Sequence, residues 1–440
     1  MKRIRNLISA ILLVLPLGIS AQTGVESLTP YGHGEDSIRC IRNTSLYSTY
    51  YDNKDYPMAL RFWRQVYGEC PGSSKNIYIK GELMYKDLFR STGDSAYIDT
   101  IINILTQRTL YFGEAPLVNL RKALVLYELG GNDSVYAFQC YSLIKEVADS
   151  FPEMIDQNYS VLLVAAAVKG HTVSVVDSEE VVTAISIAYD FTDKALKINP
   201  ADRKYLDAVN SIDALFRTSG VMTCKSLEQI FAPRLDQNIR DTVLIDKVFR
   251  MLREAGCVSS DFYYKTATRL YAINKCSANA VRLAELNIAR KNTDKAVWYF
   301  SEAMKLDTSK VVQSDILTRV AAMELAAGKR QEARNHGEQA YELNNKNGNA
   351  LFVIAEAYAG AKIGDAFDNH SAYWVAVDYL INAKKADPSL KAKADERIKA
   401  YVKLYPTREE GFFRGVLDEG VTYRVGGWIN EITIIRFRKE

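Results

Sequence analysis

Histidine is scarce in this chain, four in 440 residues, and no two stand at a spacing such as HxxxH that would put imidazoles on one helix face for a metal. His33 in the N-terminal stretch has no second His or Cys near it. A phosphate-cradling loop is missing too: Gly360-Ala361-Lys362-Ile363-Gly364 lacks the Gly-Lys-Ser/Thr ending. There is no GxSxG elbow and no glycine-rich dinucleotide turn. Carboxylates are plentiful, but at helical spacing on polar faces they read as solvated ions. The expectation is therefore no catalytic residue, no cofactor-binding residue and no metal ligand. Any active site would be confined to two long insertions described below.

Glycine (24) and proline (10) are also sparse, and no Ser- or Pro-rich linker divides the chain. No boundary between two independent globular domains is visible. Yet the length exceeds what a single compact core holds. An array of short helical units escapes that limit, because each unit packs only on its neighbours.

The start of the chain is the exception to its even texture. Lys2, Arg3 and Arg5 precede an apolar run, Leu7–Leu17, and a small-residue exit at Gly18-Ile19-Ser20-Ala21 before Gln22. That is the layout of a secretory signal peptide, residues 1–21, with an uncleaved anchor as the alternative. The run is shorter than the roughly 20 residues of a membrane span. The first cysteine is Cys40, which argues against a lipid anchor. Without residues 1–21 the chain loses three cations and no acid, taking the formal charge from +3 to 0. A nucleic-acid partner, which favours a strongly basic face, is not expected. The expected address is outside the cytoplasm, in a periplasm, with peripheral attachment to an outer membrane as a variant.

Export makes the six cysteines candidates for pairing. Cys257 and Cys276 flank an expected helix, Asp261–Asn274, about 20 Å long at 1.5 Å per residue, beyond the reach of about 7 Å that a disulfide allows. Cys40 and Cys70 open and close one expected hairpin and so meet at the same end of it. Cys140 and Cys224 read as small buried hydrophobes.

Residues 22–36, with Gly24, Pro30, Gly32 and Gly34, read as a flexible arm. Residues 37–404 read as paired amphipathic helices. In Cys40–Pro71, Leu46, Tyr47 and Tyr50 line a first helix, and Ala59, Trp63 and Val66 a second that Pro57 opens and Pro71 stops. A degenerate pair, Asn76–Arg90 and Ala96–Tyr111, is followed by Leu117–Leu129 and Ser134–Ser150, where Ala123 and Ala137 hold the small sites and Tyr141 the bulky one. A further hairpin joins Tyr159–Lys169 to Val181–Ile198 around an insertion, Gly170–Glu179. Residues 204–274 are helical by period only. In Ser277–Lys310, Leu283, Ala284 and Asn287 mark the first helix, and Ala296, Phe300 and Ala303 the second, across a turn at Asn292-Thr293-Asp294. Val320, Ala321, Ala333 and Ala340 repeat the pattern. So do Ala355, Tyr358, Ala376, Leu380 and Ala383, around a second insertion, Gly360–Ser371. The helix Leu390–Leu404 closes a basic stretch, with seven cations against three acids over 384–403. It reads as a solvated cap, with a partner-binding face as the alternative. Residues 405–440 change period: Val421–Val425 and Trp428–Arg438 read as two strands joined at Gly426-Gly427. A lone hairpin is marginal in water, so it must pack on the last helices or pair with another chain.

The small-residue spacing of these pairs resembles the tetratricopeptide repeat (TPR). The phrases Tyr56-Pro57-Met58-Ala59-Leu60-Arg61-Phe62-Trp63, Cys70-Pro71 and Gly427-Trp428-Ile429-Asn430-Glu431-Ile432-Thr433 are similar to those of exported TPR proteins of Bacteroidota envelopes. The resemblance implies an all-α, TPR-like right-handed α-solenoid of helix hairpins with a small C-terminal β-hairpin, no activity and no cofactor. It also implies a concave side, lined by first helices, that holds peptide segments or protein surfaces. Glu285, Ala322 and Glu356 stand where a carboxylate-binding TPR groove needs Asn, so that role is not carried over. The groove would offer Thr44, Ser48 and Tyr51 at one end, and Glu285, Ile288, Arg319, Phe352 and Glu356 at the other. The expected function is a scaffold or adaptor binding other envelope proteins. The alternative is a nutrient- or glycan-binding module, although the lipidated cysteine and loop-rich inserts usual in such modules are missing.

Overall fold

A computed structural model describes residues 29–439. The expected signal peptide and residues 22–28 of the expected arm lie outside the described residues. The described chain is all-α, twenty α-helices followed by one two-stranded sheet, and successive helices pack as TPR-like hairpins. It falls into two compact units, the first ending at Met222 and the second opening at Thr223, although no linker composition marks that place.

The first unit holds α1 (Glu35–Asp52), α2 (Tyr56–Glu69), α3 (Asn76–Thr92), α4 (Ala96–Phe112), α5 (Ala115–Leu129), α6 (Ser134–Ser150), α7 (Gln157–Thr172), α8 (Ser178–Ile198) and α9 (Arg203–Thr218). Helix α1 takes in Glu35 and Asp36 of the expected arm. Aspartates start many of these helices, because a short carboxylate accepts the free N–H groups of a first turn. Asp55 accepts from Met58 N, Asp133 from Val135 N and Tyr136 N, and Asp177 shares a capping box with Glu180. The Gly170–Glu179 insertion is shorter than expected, since only Val173–Asp177 lies between α7 and α8. Gly170 does not break α7 but lets Val176 fold back over it: a Cβ there would sit 2.4 Å from Val176 Cγ2.

Helix α2 meets α3 through one close approach. The Trp63 indole is buried, fixed by a 2.7 Å hydrogen bond from Nε1 to Ile77 O, and lies against Gly81. A Cβ on Gly81 would stand 2.5 Å from Trp63 Cζ2.

The second unit holds α10 (Cys224–Gln237), α11 (Thr242–Glu254), α12 (Asp261–Ile273), α13 (Ser277–Ala289), α14 (Thr293–Leu306), α15 (Lys310–Ala326), α16 (Arg330–Leu343), α17 (Gly348–Tyr358), α18 (Ala366–Ala386), α19 (Lys391–Tyr401) and α20 (Arg408–Phe413). The small sites read from sequence are closed to solvent: Ala284, Ala296, Ala303, Ala321, Ala333, Ala340, Ala355, Ala376 and Ala383 are all buried. Asn287, in the place of a usual Tyr, is buried and donates to Leu283 O at 2.7 Å. The second insertion also shrinks. Asp365 caps α18, so His370 and Ser371 lie inside that helix, with His370 Nδ1 3.0 Å from the Glu410 carboxylate of α20.

The unit ends in β1 (Thr422–Val425) and β2 (Glu431–Ile434), antiparallel, with Thr422 opposite Ile434. The turn is Gly426–Asn430 rather than the tight Gly-Gly link, and Trp428 and Ile429 belong to it. Gly427 has φ +64°, and Asn430 shares the left-handed region. The hairpin packs on α18. Val425, Ile429, Ile435 and Phe437 join the core of α17 and α18, and Trp374 Nε1 donates to Arg436 O. Strand alternation turns Ile432 and Ile434 outward, so the Ile432–Ile435 run does not bury as a block.

Two disulfides staple the hairpins. Cys40–Cys70 joins the ends of the first one, Cα atoms 6.3 Å apart. Cys224, expected to be a lone hydrophobe, instead pairs with Cys257, Cα atoms 5.5 Å apart, because α10 and α11 return the chain to its starting end. Loops of this size give about 3–4 kcal/mol by chain entropy. Cys140 is a buried thiol, pushed up to about 12 by burial, and Cys276 is half-buried and free.

Two predictions follow from this packing. Gly81→Ala should destabilise the protein by about 1–3 kcal/mol through overpacking, although glycine-to-alanine in an open helix site gains up to about 1 kcal/mol. Gly68 in α2 has nothing within 4 Å of its Cβ direction, so Gly68→Ala should be neutral or stabilising; denaturant midpoints of the two variants check the sign. Non-reducing peptide mapping should recover Cys40–Cys70 and Cys224–Cys257 as linked pairs. Iodoacetamide should then label Cys276 ahead of Cys140.

Candidate functional site

The residues expected to line a groove fall in both units. In the first, all three lie on α1. Tyr51 packs on Tyr56 with ring centroids 5.6 Å apart, and Lys80 Nζ sits 4.6 Å from its ring centre. Ser48 is half-buried, and Thr44 Oγ1 is buried without a hydrogen bond.

In the second unit, Glu285 of α13 and Arg319 of α15 form an ion pair across neighbouring first helices. They line a groove of about 420 Å³ with Val281 and Ile316. Both side chains are about half exposed, and a pair of that kind is worth at most about 1 kcal/mol. Either charge can therefore exchange partners at little cost. Ile288 is partly exposed on α13 but does not line this groove. Phe352 and Glu356 are taken up within the fold. The Phe352 ring is 5 % exposed with Lys393 Nζ 4.3 Å from its centre, and Arg397 Nε lies 3.1 Å from Glu356. The basic helix α19 thus spends two of its cations on α17.

A larger cleft, about 860 Å³, opens on the second helices of the same unit. Leu351 and Ile354 of α17 and Val375 of α18 make its apolar floor. Glu338, Tyr341 and Glu342 of α16 form one wall; Asp378, Tyr379, Asn382 and Lys385 of α18 form the other; Glu431 and Ile432 of β2 close one end. Sequence reading missed it. The only local signal is the like-charged pair Glu338 and Glu342 at i, i+4, and nothing in the sequence places β2 beside α16.

Electrostatics divide the carboxylates of this cleft. Asp378 is held by Arg436 at 2.6 Å and by the Thr433 hydroxyl, and Glu338 by Arg334 at 2.8 Å. Glu431 accepts from the Tyr379 hydroxyl at 3.1 Å and the Tyr358 hydroxyl at 3.4 Å. Burial pushes Tyr358 up to about 12, and burial with the nearby Tyr358 and Glu431 pushes Tyr379 up further, so both stay protonated donors. Among the described residues, neither Glu342 nor Glu431 is in an ion pair. The Glu338 carboxyl is raised above its ordinary value, first by burial and then by Glu431 and Glu342, with Arg334 opposing.

That shift has a sign. A raised folded-state value favours the protonated acid, so its relative stabilisation is complete below the ordinary carboxylic range and is lost as pH rises through the raised value. Glu338→Gln should therefore melt slightly above the wild type near neutral pH, with the gap closing towards about pH 4. Thermal melts across that range check it.

No family model matches this chain, and no curated protein does. Among solved structures it is similar to a tetratricopeptide repeat protein from Parabacteroides merdae, at 13% identity and TM-score 0.30, over 63% of this chain and 97% of that one. It is also similar to the TPR2AB domain of yeast Sti1 in complex with pHSP90, at 11% identity and TM-score 0.26, over 74% and 99%. A third is the human IFIT1 dimer with m7Gppp-AAAA, at 14% identity and TM-score 0.28, over 82% and 90%. At these scores the likenesses carry no argument about ligand, and the fold stands on the helix pairs themselves.

Proposed function

We propose that this protein is an exported scaffold or adaptor that binds polypeptide segments of other cell-envelope proteins and carries out no catalysis. The observation that carries this reading is the pair of open clefts in the second unit, one on first helices and one on second helices. Each has an apolar floor and charged walls, the layout that holds an extended chain. Export is supported by residues 1–21 and by the two disulfides, which persist in an oxidising compartment. A periplasm, with peripheral attachment to an outer membrane, is the address consistent with both.

The test uses the protein without residues 1–21 as bait for an envelope extract from its own source, with an oligosaccharide array run in parallel. Specific recovery of envelope proteins, competed by their proteolytic peptides, is the expected result. Binding to glycans with no protein recovered would overturn the scaffold reading in favour of a nutrient- or glycan-binding module.

A further inference from the structure

Resting on that reading, we propose that the docking site is the second-helix cleft between α16, α18 and β2, and that its occupant is an extended polypeptide segment carrying a lysine or arginine beside apolar residues. Three features of the cleft set that chemistry. The floor of Leu351, Ile354 and Val375 is apolar but nearly closed to solvent, so the apolar contact open to the segment comes from Ile432 and the half-buried Tyr341 and Tyr379 that also line the cleft. Above it the charge is one-sided: four carboxylates line the cleft against the single cation Lys385. Arg334 and Arg436 each pair with one of the four, which leaves Glu342 and Glu431 outside any ion pair among the described residues, although the Arg334 charge still reaches Glu431.

Glu431 is the anchor point. Its position is set by two tyrosine hydroxyls that donate to Oε1, from Tyr379 on α18 and Tyr358 on α17. A carboxylate oriented in this way is ready for a guanidinium or ammonium group, and needs no rearrangement when the cation arrives. Lys385 stands on the same wall of α18 as Asp378 and Tyr379 but carries the opposite charge. This polarity gives the bound segment a direction, its cation towards Glu431 and any acid towards Lys385. The first-helix groove lacks such an imbalance at its centre, because Glu285 and Arg319 satisfy each other.

Fluorescence anisotropy with the chain lacking residues 1–21 tests the proposal. The probe is a blocked, labelled peptide of alternating leucine and serine with one central arginine; the control probe has glutamate in its place. The arginine peptide should bind about tenfold or more tightly than the glutamate peptide, with affinity falling as salt rises. Glu338→Gln combined with Glu431→Gln keeps the hydrogen-bond acceptors and should weaken the arginine peptide about tenfold. Glu342→Lys changes only an exposed side chain and should weaken it as well, which keeps the test informative if the double variant folds poorly. Glu285→Gln in the other groove should leave binding unchanged. Equal binding of the two peptides, or wild-type affinity in both Glu342→Lys and a folded double variant, would overturn the assignment. If envelope proteins are still recovered by the bait, only the site is lost; if none is, the scaffold reading falls with it.

Discussion

Two helices pack closest where a side chain stops at Cβ or is absent, and the well-marked hairpins of the second unit depend on this constraint. The buried Ala284 and Ala296, and Ala321 and Ala333, are the repeated form of it. Phe300 then fills the space that such small residues leave beside them, at the packing density that interiors require. Glycine extends the same device where even a methyl is too large. Gly81 admits the Trp63 ring, and Gly337 admits Ile354, whose Cγ1 would lie 2.6 Å from a Cβ. A single hairpin still leaves one apolar face bare, so the units continue until something different closes them.

In the second unit, the closing element is the β-hairpin with α19 and α20. Val425, Ile429, Ile435 and Phe437 supply apolar cover for α18, while Arg436 and Thr433 both bind Asp378. The same hairpin brings Glu431 to the hydroxyls of Tyr358 and Tyr379. Capping the array and building the end wall of the cleft are thus one structural event. Helix α19 closes another face, since Lys393 and Arg397 are drawn onto Phe352 and Glu356. The capping hairpin still leaves Ile432 exposed at the cleft, and α20 exposes Phe412 and Phe413.

The polar interactions show a similar economy. Asn347 caps α17 through Ala350 N and also donates to Ser314 on α15, whose hydroxyl donates to Ala340 O on α16. Arg330 donates to the carbonyls of Glu356, Ala357 and Ala359, meeting the negative end of the α17 dipole. These bonds tie three consecutive helices at points where alanine packing alone would let them slide.

Local pattern was enough to read the helices, because their period, their aspartate caps and their small-residue sites are written within a few residues of one another. The α6 bounds, the place of Pro57 in the first turn of α2, and the Cys40–Cys70 pairing were legible for that reason. What failed were contacts that the repeat pattern did not mark, whatever their separation: Cys224–Cys257 spans 33 residues against 30 for Cys40–Cys70. Gly170 reads as a breaker until Val176 is seen to fold over it. Cys224 reads as a lone hydrophobe until two further helices return Cys257 to its side. Phe352 reads as a groove residue until α19 lies across it, and Glu431 reads as a strand carboxylate until tertiary packing sets it between two tyrosines at the end of a cleft. Residue type and spacing alone determined that the chain would be an array of helix hairpins. Which of its faces stay open was decided only by the tertiary structure, because exposure depends on what the rest of the chain brings to cover each face.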